Sequence, residues 1–564
     1  METDATIETK IDELIGKMTL EQKAGQTIVF CFSGSYINRL VYRQILDFNC
    51  AGLRIHQNPI PVTVHGAVRP APYILPEQYA AVLNELQDIA LMREPQIPLH
   101  FVLDQEGDTS SNYHMGGVNI FPSQTGIVAG GGPELARKIA YAAGRQLRAL
   151  GVTWIHCPVL DVNSNYGNPE IQERSFGDDA ATCSAYAREY LKGFFDANVI
   201  TVSKHFPGRG DSSADAHEDM TSLNIPKNIL LSRDLKPYID NLENIPSVMI
   251  AHSAYPSLDP ANIPATISKL ILTDFLRGEL GYRGVVTTDN MEMEGIVKLY
   301  PIPQACVKAL AAGADLVLMK CEDEKVCEQV FNGIVNAVKA GEIPIERIEE
   351  SNRRVLRLKM QYGIFDRPKV DAGKAADPVK DRKIIELKET SVRSGIQILR
   401  NNNDLLPLKK NSKILVIEQS FSKLDQQHTD DFYQGSGKLM AEMLKFSRNL
   451  THVLIELRPN ENDIIKIKAK LSGNYDAVVL SSWSRRSTWS FEPIIKMIRD
   501  QKLPLVNLIN SCYPHAVKTS ADAIVLSFQP RGFGAKALAE VLFGISKAEG
   551  KWPLRKSFEE MIRI

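Results

Sequence analysis

The chain lacks a basic surplus, a long apolar run and a paired-cysteine motif, and each absence excludes a class of protein. Its 66 Lys and Arg balance 67 Asp and Glu, giving a formal net charge of −1, whereas binding to a nucleic-acid backbone calls for a basic surplus or stripe. No apolar run approaches the roughly 20 residues needed to cross a bilayer. We therefore expect neither a nucleic-acid partner nor a membrane span.

The N-terminus has no secretory pattern, and the cysteines form no recognisable motif. The first residues, METDATIETK, are acidic and polar, whereas a secretory signal has a basic tip followed by about 7–15 apolar residues. The 8 cysteines are scattered, with no CxxC pair and no zinc-type Cys/His cluster. We therefore predict a cytoplasmic protein without a signal peptide, with free buried thiols and no bound metal.

Length and composition indicate two globular domains. A chain of 564 residues with 44% hydrophobic and 24% charged residues is long for one domain, given about 100–200 residues per domain. The composition is that of an ordinary enzyme. We predict a catalytic domain over residues 1–365, a linker rich in polar and breaker residues over 366–385, and a second domain over 386–564.

The N-terminal part alternates short apolar runs with helical patterns. This rhythm predicts parallel strands joined by helices, and eight such units predict a (β/α)8 barrel of the TIM type. The predicted strands are Gly25–Phe32, Ala51–Ile55, Leu99–Asp104, Val152–Leu160, Val199–His205, Ser247–His252, Gly284–Asp289 and Ala314–Met319. A helix pattern over Ile345–Phe365 follows them.

The C-terminal part has shorter apolar runs separated by charged helical stretches, which predicts a smaller three-layer α/β sandwich. The runs are Ile414–Glu418, Val453–Leu457, Ala477–Ser481, Pro504–Ile509 and Ala523–Phe528. No glycine-rich phosphate fingerprint opens a helix here. The Gly130–Gly132 triplet before Pro133 also lacks that fingerprint, so we predict a loop with proline in the first helical turn.

Polar residues follow or end several predicted barrel strands. They are Asp104, Asp161, Lys204, His205, His252 and Asp289. A single Asp at such a place often only caps the next helix. Because the active site of a (β/α)8 barrel lies at the C-terminal ends of its strands, so many polar ends together predict a polar pocket.

A loop of breaker and polar residues follows the fifth predicted strand, with Asp215 and His217 two positions apart. At this spacing a carboxylate can orient an imidazole and support its charged form, as in a proton shuttle. A solvated turn with an incidental histidine is an equal alternative. A metal site is a third reading, with His205, Asp211, Asp215 and His217 as ligands, although the chain has no HxH or HExxH pair.

Asp289 suggests what such a histidine would do. A carboxylate at a strand end facing a proton donor is the arrangement that glycoside hydrolysis requires, because one group attacks the anomeric carbon and the other protonates the leaving oxygen. An imidazole can donate and recover a proton near neutral pH without a raised carboxyl pKa.

Taken together, the motifs resemble those of family 3 glycoside hydrolases, within them the two-domain β-N-acetylglucosaminidase (β-hexosaminidase) branch. They are MTLEQKAGQ (18–26), LDQEG (103–107), PVLDVN (158–163), NPEIQERSFG (168–177), KHFPG (204–208), PATIS (264–268), GVVTTDNMEM (284–293), GADLVLM (313–319) and ALAEVLFG (537–544). The resemblance covers nearly the whole chain.

The resemblance implies roles for individual residues. Asp289 is expected to be the nucleophile and His217, paired with Asp215, the general acid/base. The residues expected to hold the hydroxyls of the terminal sugar are Asp104, Arg174, Lys204 and His205, with Asp161 supporting them. The implied reaction is a retaining hydrolysis of terminal β-linked N-acetylglucosamine, without a cofactor, from cell-wall or chitin fragments.

Departures from the family pattern leave alternatives open. Arg209 stands where many relatives carry His, Ala216 separates the dyad where Ser is usual, and EGDT (106–109) replaces a more typical EGGR. The unusual segment 56–72 is a candidate lid. A phosphorylase, drawing on the positive charge of Arg209 and Lys204, a β-glucosidase or xylosidase, and a non-catalytic sugar-binding protein are the alternative functions.

Overall fold

The computed structural model describes most of the chain. The described ranges are 4–34, 36–56, 62–64, 67–69, 75–107, 118–215, 220–320, 323–420, 437–484, 490–529 and 534–564. Ala216 and His217 lie outside them. Within the candidate lid, Val62–Val64 pairs antiparallel with Ala67–Arg69. The role of this segment as a lid stays a prediction.

Eight parallel strands close into a barrel, in the order β1-β8-β7-β6-β5-β4-β3-β2, which confirms the predicted fold. The strands are β1 Ile28–Ser33, β2 Gly52–His56, β3 His100–Leu103, β4 Trp154–Ile155, β5 Ile200–Phe206, β6 Ser247–Ile250, β7 Val285–Asn290 and β8 Leu316–Leu318. Each of the eight predicted runs contains most of one strand.

Alternation along the strands divides the apolar residues between two cores. Val29, Val102, Trp154, Val202 and Leu318 fill the barrel lumen, together with residues of other strands. Their sequence neighbours pack outward against the helices in a much larger cluster. As a result, the residue that comes two positions after a lumen residue also faces the lumen, one layer nearer the C-terminal rim.

Helices surround the barrel. They are Asp4–Lys17, Leu20–Gly25, Arg39–Tyr42, Pro76–Ala90, Gln124–Gly130, Pro133–Leu150, Ala180–Asp196, Lys227–Ile229, Lys236–Ile239, Glu294–Val297, Ile302–Ala312, Glu324–Lys339 and Ile345–Gln361, with π-helical turns at Arg43–Asp47, Leu230–Asp234 and Leu270–Glu279 and 3₁₀ turns at Gln172–Arg174, Leu242–Asn244 and Ala265–Ile267. Pro133 occupies the first turn of its helix, as predicted. The long helix Ile345–Gln361 ends just before Gly363, whose φ of 64° suits glycine.

Residues between the barrel and the second sheet are largely helical. They form a 3₁₀ turn at Ala372–Lys374 and helices Asp377–Lys380 and Arg382–Ser394. The last of these helices runs across the boundary that we predicted between residues 385 and 386. The domain boundaries themselves stay predictions.

A second, six-stranded sheet follows, in the order β9-β14-β13-β12-β10-β11. Its strands are β9 Gln397–Asn401, β10 Ile414–Ser420, β11 Leu450–Glu456, β12 Ala477–Ser481, β13 Leu505–Ile509 and β14 Ala523–Leu526, and its other segments are Asn402–Asp404, Lys438–Met443, Glu461–Leu471, Glu492–Asp500, Pro514–Val517, Gly534–Leu542 and Phe558–Met561. Separate apolar clusters cover its two faces, which gives the predicted three layers. The antiparallel edge strand β9 was not predicted, because its side chains are mostly half-buried or exposed.

The loops that follow the carboxyl ends of strands β13 and β14 contact the barrel domain. Tyr513, which follows β13, donates its hydroxyl hydrogen to the carbonyl of Gln172 at 3.3 Å. Gln529, which follows β14, donates from Nε2 to the carbonyl of Ile120 at 2.9 Å. None of the described helices is both long enough and apolar enough to span a bilayer.

Candidate active site

The lumen layer nearest the C-terminal rim is polar. Two positions after the lumen residues Val102, Trp154 and Val202 come Asp104, His156 and Lys204. The strand period therefore brings these three side chains together above an apolar floor.

Alternating charges link this layer to the loop after β4. Lys204 Nζ lies 2.9 Å from Asp104 Oδ1 and 2.5 Å from Glu106 Oε1. Arg174 binds Glu106 through both Nε, at 2.8 Å, and Nη2, at 3.1 Å. On the opposite side, Arg54 Nη2 reaches Asp104 Oδ2 at 2.5 Å. We call these five residues the site network.

Burial and charge act against each other within the site network. Burial alone would raise the pKa of the Asp104 carboxyl, but Lys204 and Arg54 hold it well below its usual range. Burial likewise opposes the effect of Arg174 and Lys204 on Glu106, whose pKa falls to about 2. Burial lowers the pKa of Lys204, but Asp104 and Glu106 give it a net rise. The network is therefore fully charged at neutral pH.

Glu106→Gln tests this network. The change leaves the cations of Arg174 and Lys204 partly uncompensated in a buried position, so we expect the free energy of unfolding to fall by about 3–5 kcal/mol, measured by urea denaturation. Glu21→Gln is the matched control, because Glu21 forms an ion pair with Lys339 while the two side chains stay 45% and 57% exposed. We expect that change to cost less than about 1 kcal/mol.

The same substitution has a defined pH dependence. The pKa of Glu106 is lowered from 4.5 to about 2 in the folded chain, so its stabilising effect is complete above pH 4.5 and is lost as the pH falls towards 2. We expect the stability difference between the native chain and Glu106→Gln to shrink across this window. An unchanged difference at pH 3 contradicts the assignment.

Asp161 orients the imidazole ring of His205. Asp161 Oδ2 accepts hydrogen bonds from His205 Nδ1 at 2.7 Å and from its backbone N–H at 3.1 Å. Since Nδ1 donates its hydrogen to the carboxylate, Nε2 is left facing Arg174 Nη2, at 3.5 Å. Asp161 is fully buried, which favours a role in positioning His205 over direct contact with a ligand.

The start of the loop that carries Asp215 is held against the loop after β4. We call residues 208–212 the loop stem. The Arg209 backbone N–H donates to Asp161 Oδ1 at 2.6 Å, and its guanidinium binds the Glu170 carboxylate at 2.6 and 3.0 Å. Asn165 donates to the carbonyls of Gly210, at 3.1 Å, and Ser212, at 3.0 Å. The direction in which the loop leaves the barrel is thereby determined.

Gly210→Ala is predicted to displace this stem. A Cβ at Gly210 would lie 1.7 Å from the carbonyl oxygen of Val162, so one backbone segment has to move. We expect a loss of about 3 kcal/mol in unfolding free energy and a lower kcat, read from denaturation and turnover. Gly16→Ala, whose Cβ meets nothing within 4 Å, is the control. Full activity of Gly210→Ala at native stability contradicts a close-packed stem.

Asp289 stands near the end of β7, at the same rim of the barrel. It is half-buried, and its Oδ1 accepts the backbone N–H of Asn290 at 2.7 Å. The carbonyl of Asn290 accepts in turn from His252 Nε2 at 3.0 Å, and His252 Nδ1 lies 2.7 Å from Thr266 Oγ1. His252, left without a role in the sequence analysis, therefore fixes the backbone beside Asp289.

The structure gathers most of the predicted site residues. Asp104, Arg174, Lys204, His205 and Asp161 form one connected set, and Asp289 lies at the same barrel end. Asp215 is the last residue described before the gap at 216–219, and His217 lies within that gap.

Two predicted metal ligands are engaged elsewhere. Asp211 contacts Arg233 Nη2 at 3.1 Å, and His205 is held by Asp161. These contacts do not favour the metal alternative.

Four residues of the site escaped the sequence analysis. They are Arg54, Glu106, His156 and Glu170. Arg54 interrupts the apolar run AGLRI at a lumen-facing position, and His156 follows the lumen residue Trp154 by two. The two-residue period of the strands was therefore the signal that could have identified both.

Comparison with known proteins agrees with this arrangement. The sequence profile of the Glycosyl hydrolase family 3 N terminal domain matches residues 70–358. Beta-hexosaminidase A of Pseudoalteromonas piscicida is 26% identical over 537 residues, which are 85% of this chain and 86% of the relative. Beta-hexosaminidase LpqI of Mycobacterium bovis is 33% identical over 270 residues, which are 47% of this chain and 68% of the relative.

A solved structure is similar over almost the full length. It is that of a glycoside hydrolase family 3 beta-N-acetylglucosaminidase from Paenibacillus sp. str. FPU-7, with a TM-score of 0.83 and 27% identity. The match covers 95% of this chain and 99% of that one. The similarity therefore includes both the barrel and the second sheet.

Proposed function

The chain belongs to family 3 of the glycosyl hydrolases, and from this premise we propose that it is a retaining exo-glycosidase that releases terminal β-linked N-acetylglucosamine. One relative over 85% of its length is named Beta-hexosaminidase A, and a similar solved structure is a beta-N-acetylglucosaminidase. The observation that carries the proposal is the charged site network beside a strand-end aspartate, Asp289, at the C-terminal rim of the barrel.

The proposed reaction has two steps. In the first, an Asp289 carboxylate oxygen bonds to the anomeric carbon, while His217, supported by Asp215, gives its proton to the departing oxygen. In the second, the same imidazole removes a proton from water, which attacks the anomeric carbon and breaks the bond to Asp289. Two inversions leave the β configuration of the released sugar unchanged.

Four side chains of the site are proposed to hold the terminal sugar. Asp104 offers carboxylate acceptors, and Lys204, Arg174 and His205 offer donors or a ring nitrogen. Their mutual ion pairs hold these side chains in place before the sugar arrives, so less freedom is lost on binding. Asp161 acts through His205.

The phosphorylase alternative is weaker than the hydrolase. It rests on an imidazole acid/base, which does not repel phosphate as a carboxylate would, and on free positive charge at Lys204 and Arg209. Lys204 is shared between two carboxylates, and Arg209 binds Glu170 at 2.6 Å, so neither cation is left to attract phosphate.

We further propose a cytoplasmic enzyme that acts on cell-wall or chitin fragments. Its seven described cysteines, all buried, are free thiols, a state typical of a reducing compartment.

Product analysis tests this function. We expect 4-nitrophenyl N-acetyl-β-glucosaminide to yield N-acetylglucosamine first as the β anomer, followed by proton NMR, at the same rate with and without phosphate. N-acetylglucosamine 1-phosphate as the product would establish a phosphorylase. Faster turnover of the 4-nitrophenyl β-glucoside or β-xyloside would identify the chain as a β-glucosidase or a β-xylosidase.

A further inference from the structure

One wall of the candidate sugar pocket carries two cations that the proposed mechanism does not use. Cys31 of β1 pairs with Arg54 of β2, and Val29 pairs with Leu318 of β8. Two positions beyond Leu318 is Lys320, so the register sets Lys320, Cys31 and Arg54 level with one another across adjacent strands. The same register pairs Arg54 with Val102, two positions before Asp104, and the Arg54 guanidinium extends from this row to the Asp104 carboxylate.

Arg54 has more donors than partners. Its single hydrogen bond in the described chain runs from Nη2 to Asp104, whose other oxygen is taken by Lys204. A guanidinium has five N–H groups in a planar fork. The side chain is 12% exposed, so it contributes to the pocket surface.

The ammonium of Lys320 makes no ion pair with any residue the structure describes. The residue is exposed at the mouth of the barrel, and its backbone N–H donates to Glu292 Oε1 and Asn290 Oδ1, both at 3.1 Å. Although the residue as a whole is exposed, the barrel rim partly shields its ammonium from water, and this shielding and the neighbouring Arg54 charge lower the pKa of Lys320.

Charge is unbalanced on this side of the pocket. Arg54 shares its one carboxylate, Asp104, with Lys204, whereas Lys204 also pairs with Glu106 and Arg174 pairs with both Glu106 and Glu170. Lys320 adds a further positive charge at the rim. A wall of this kind is complementary to a carboxylate or an acid ester, which an arginine fork binds through paired hydrogen bonds.

We infer that Arg54 and Lys320 select terminal sugars that carry an anionic group, either a carboxylate on an ether substituent or a sulfate or phosphate ester. The inference rests on the proposed glycosidase function and refines its substrate class. A neutral N-acetylglucosaminide is then accepted but is not preferred.

Three glycosides test the inference. They are 4-nitrophenyl N-acetyl-β-glucosaminide, its 6-sulfate, and 4-nitrophenyl N-acetyl-β-muramide, whose 3-O-lactyl group is a carboxylate. We measure kcat/KM for each at constant ionic strength with the native chain, Arg54→Met and Lys320→Met. Arg382→Met and Lys339→Met are the matched controls, with side chains 90% and 57% exposed.

We expect the native chain to favour one anionic glycoside at least tenfold over the neutral one. Arg54→Met and Lys320→Met should each reduce that ratio by about tenfold or more, and the controls should leave it unchanged. If the 6-sulfate is the preferred glycoside and loses its preference in the variants, the ligand is the ester; if the muramide does so, the ligand is the carboxylate.

Two results overturn the inference while the proposed function stands. One is a native preference for the neutral glycoside. The other is an equal loss by Arg54→Met on all three substrates with no effect of Lys320→Met, which assigns Arg54 to positioning Asp104. Absence of turnover on every glycoside, with the chain folded, overturns the proposed function and this inference together.

Discussion

Asp289→Asn is expected to lower kcat/KM for 4-nitrophenyl N-acetyl-β-glucosaminide by about 10⁴-fold or more, because the amide cannot form the bond to the anomeric carbon. The fold should survive, since Asp289 is half-buried near the end of β7 and the amide oxygen can still accept the Asn290 N–H. Asp274→Asn, at an exposed helix position, is the control and should keep full activity.

Asp289→Gly adds a second readout to the same prediction. Its smaller side chain leaves room for azide, which can attack the anomeric carbon directly. One displacement replaces two, so the expected product is the α-glycosyl azide, identified by NMR. Full activity of Asp289→Asn, or a β-glycosyl azide from Asp289→Gly, contradicts the nucleophile assignment.

His217→Ala is expected to have the second largest effect, and its size should depend on the leaving group. A disaccharide needs a proton on the departing oxygen, so we expect its hydrolysis to slow by about 10³-fold or more. The first step on a 4-nitrophenyl glycoside, whose leaving group departs as a stable anion, should be slowed much less. The ratio of the two rates is the measurement.

The pH profile supplies the control for that prediction. The limb of the kcat/KM profile that reports the imidazole should be absent in His217→Ala. Asp215→Asn should keep the limb but shift it towards lower pH, since the carboxylate no longer supports the charged imidazole. An equal loss on both substrates with an unchanged profile would assign His217 to structure.

Much of the fold could be predicted, because buried parallel strands leave apolar runs of the right length. The eight barrel runs and five runs of the second sheet each correspond to a strand. β9 was missed because it is an antiparallel edge strand with few buried side chains. The helix Arg382–Ser394 was also missed in part, since its start lies in a polar stretch that reads as linker.

The site was predictable where a strand ends in a polar residue. Asp104 follows the end of β3, and Lys204 and Asp289 lie within two residues of the ends of β5 and β7; the resemblance to a known family added their expected roles. The ion pairs were beyond prediction, because Glu106, Arg174 and Glu170 meet through loops whose paths depend on tertiary packing. The same limit applied to Arg209, which the sequence offered as a free charge and the structure pairs with Glu170.

The most direct test of the central claim is to trap the covalent intermediate. A 5-fluoro derivative of N-acetyl-β-glucosaminyl fluoride should form the glycosyl-enzyme and slow its hydrolysis, so that peptide mass spectrometry can locate the sugar. We predict one sugar per chain, attached at Asp289, and no labelling of Asp289→Asn. A sugar attached to another residue, or the same labelling of Asp289→Asn, would contradict the account.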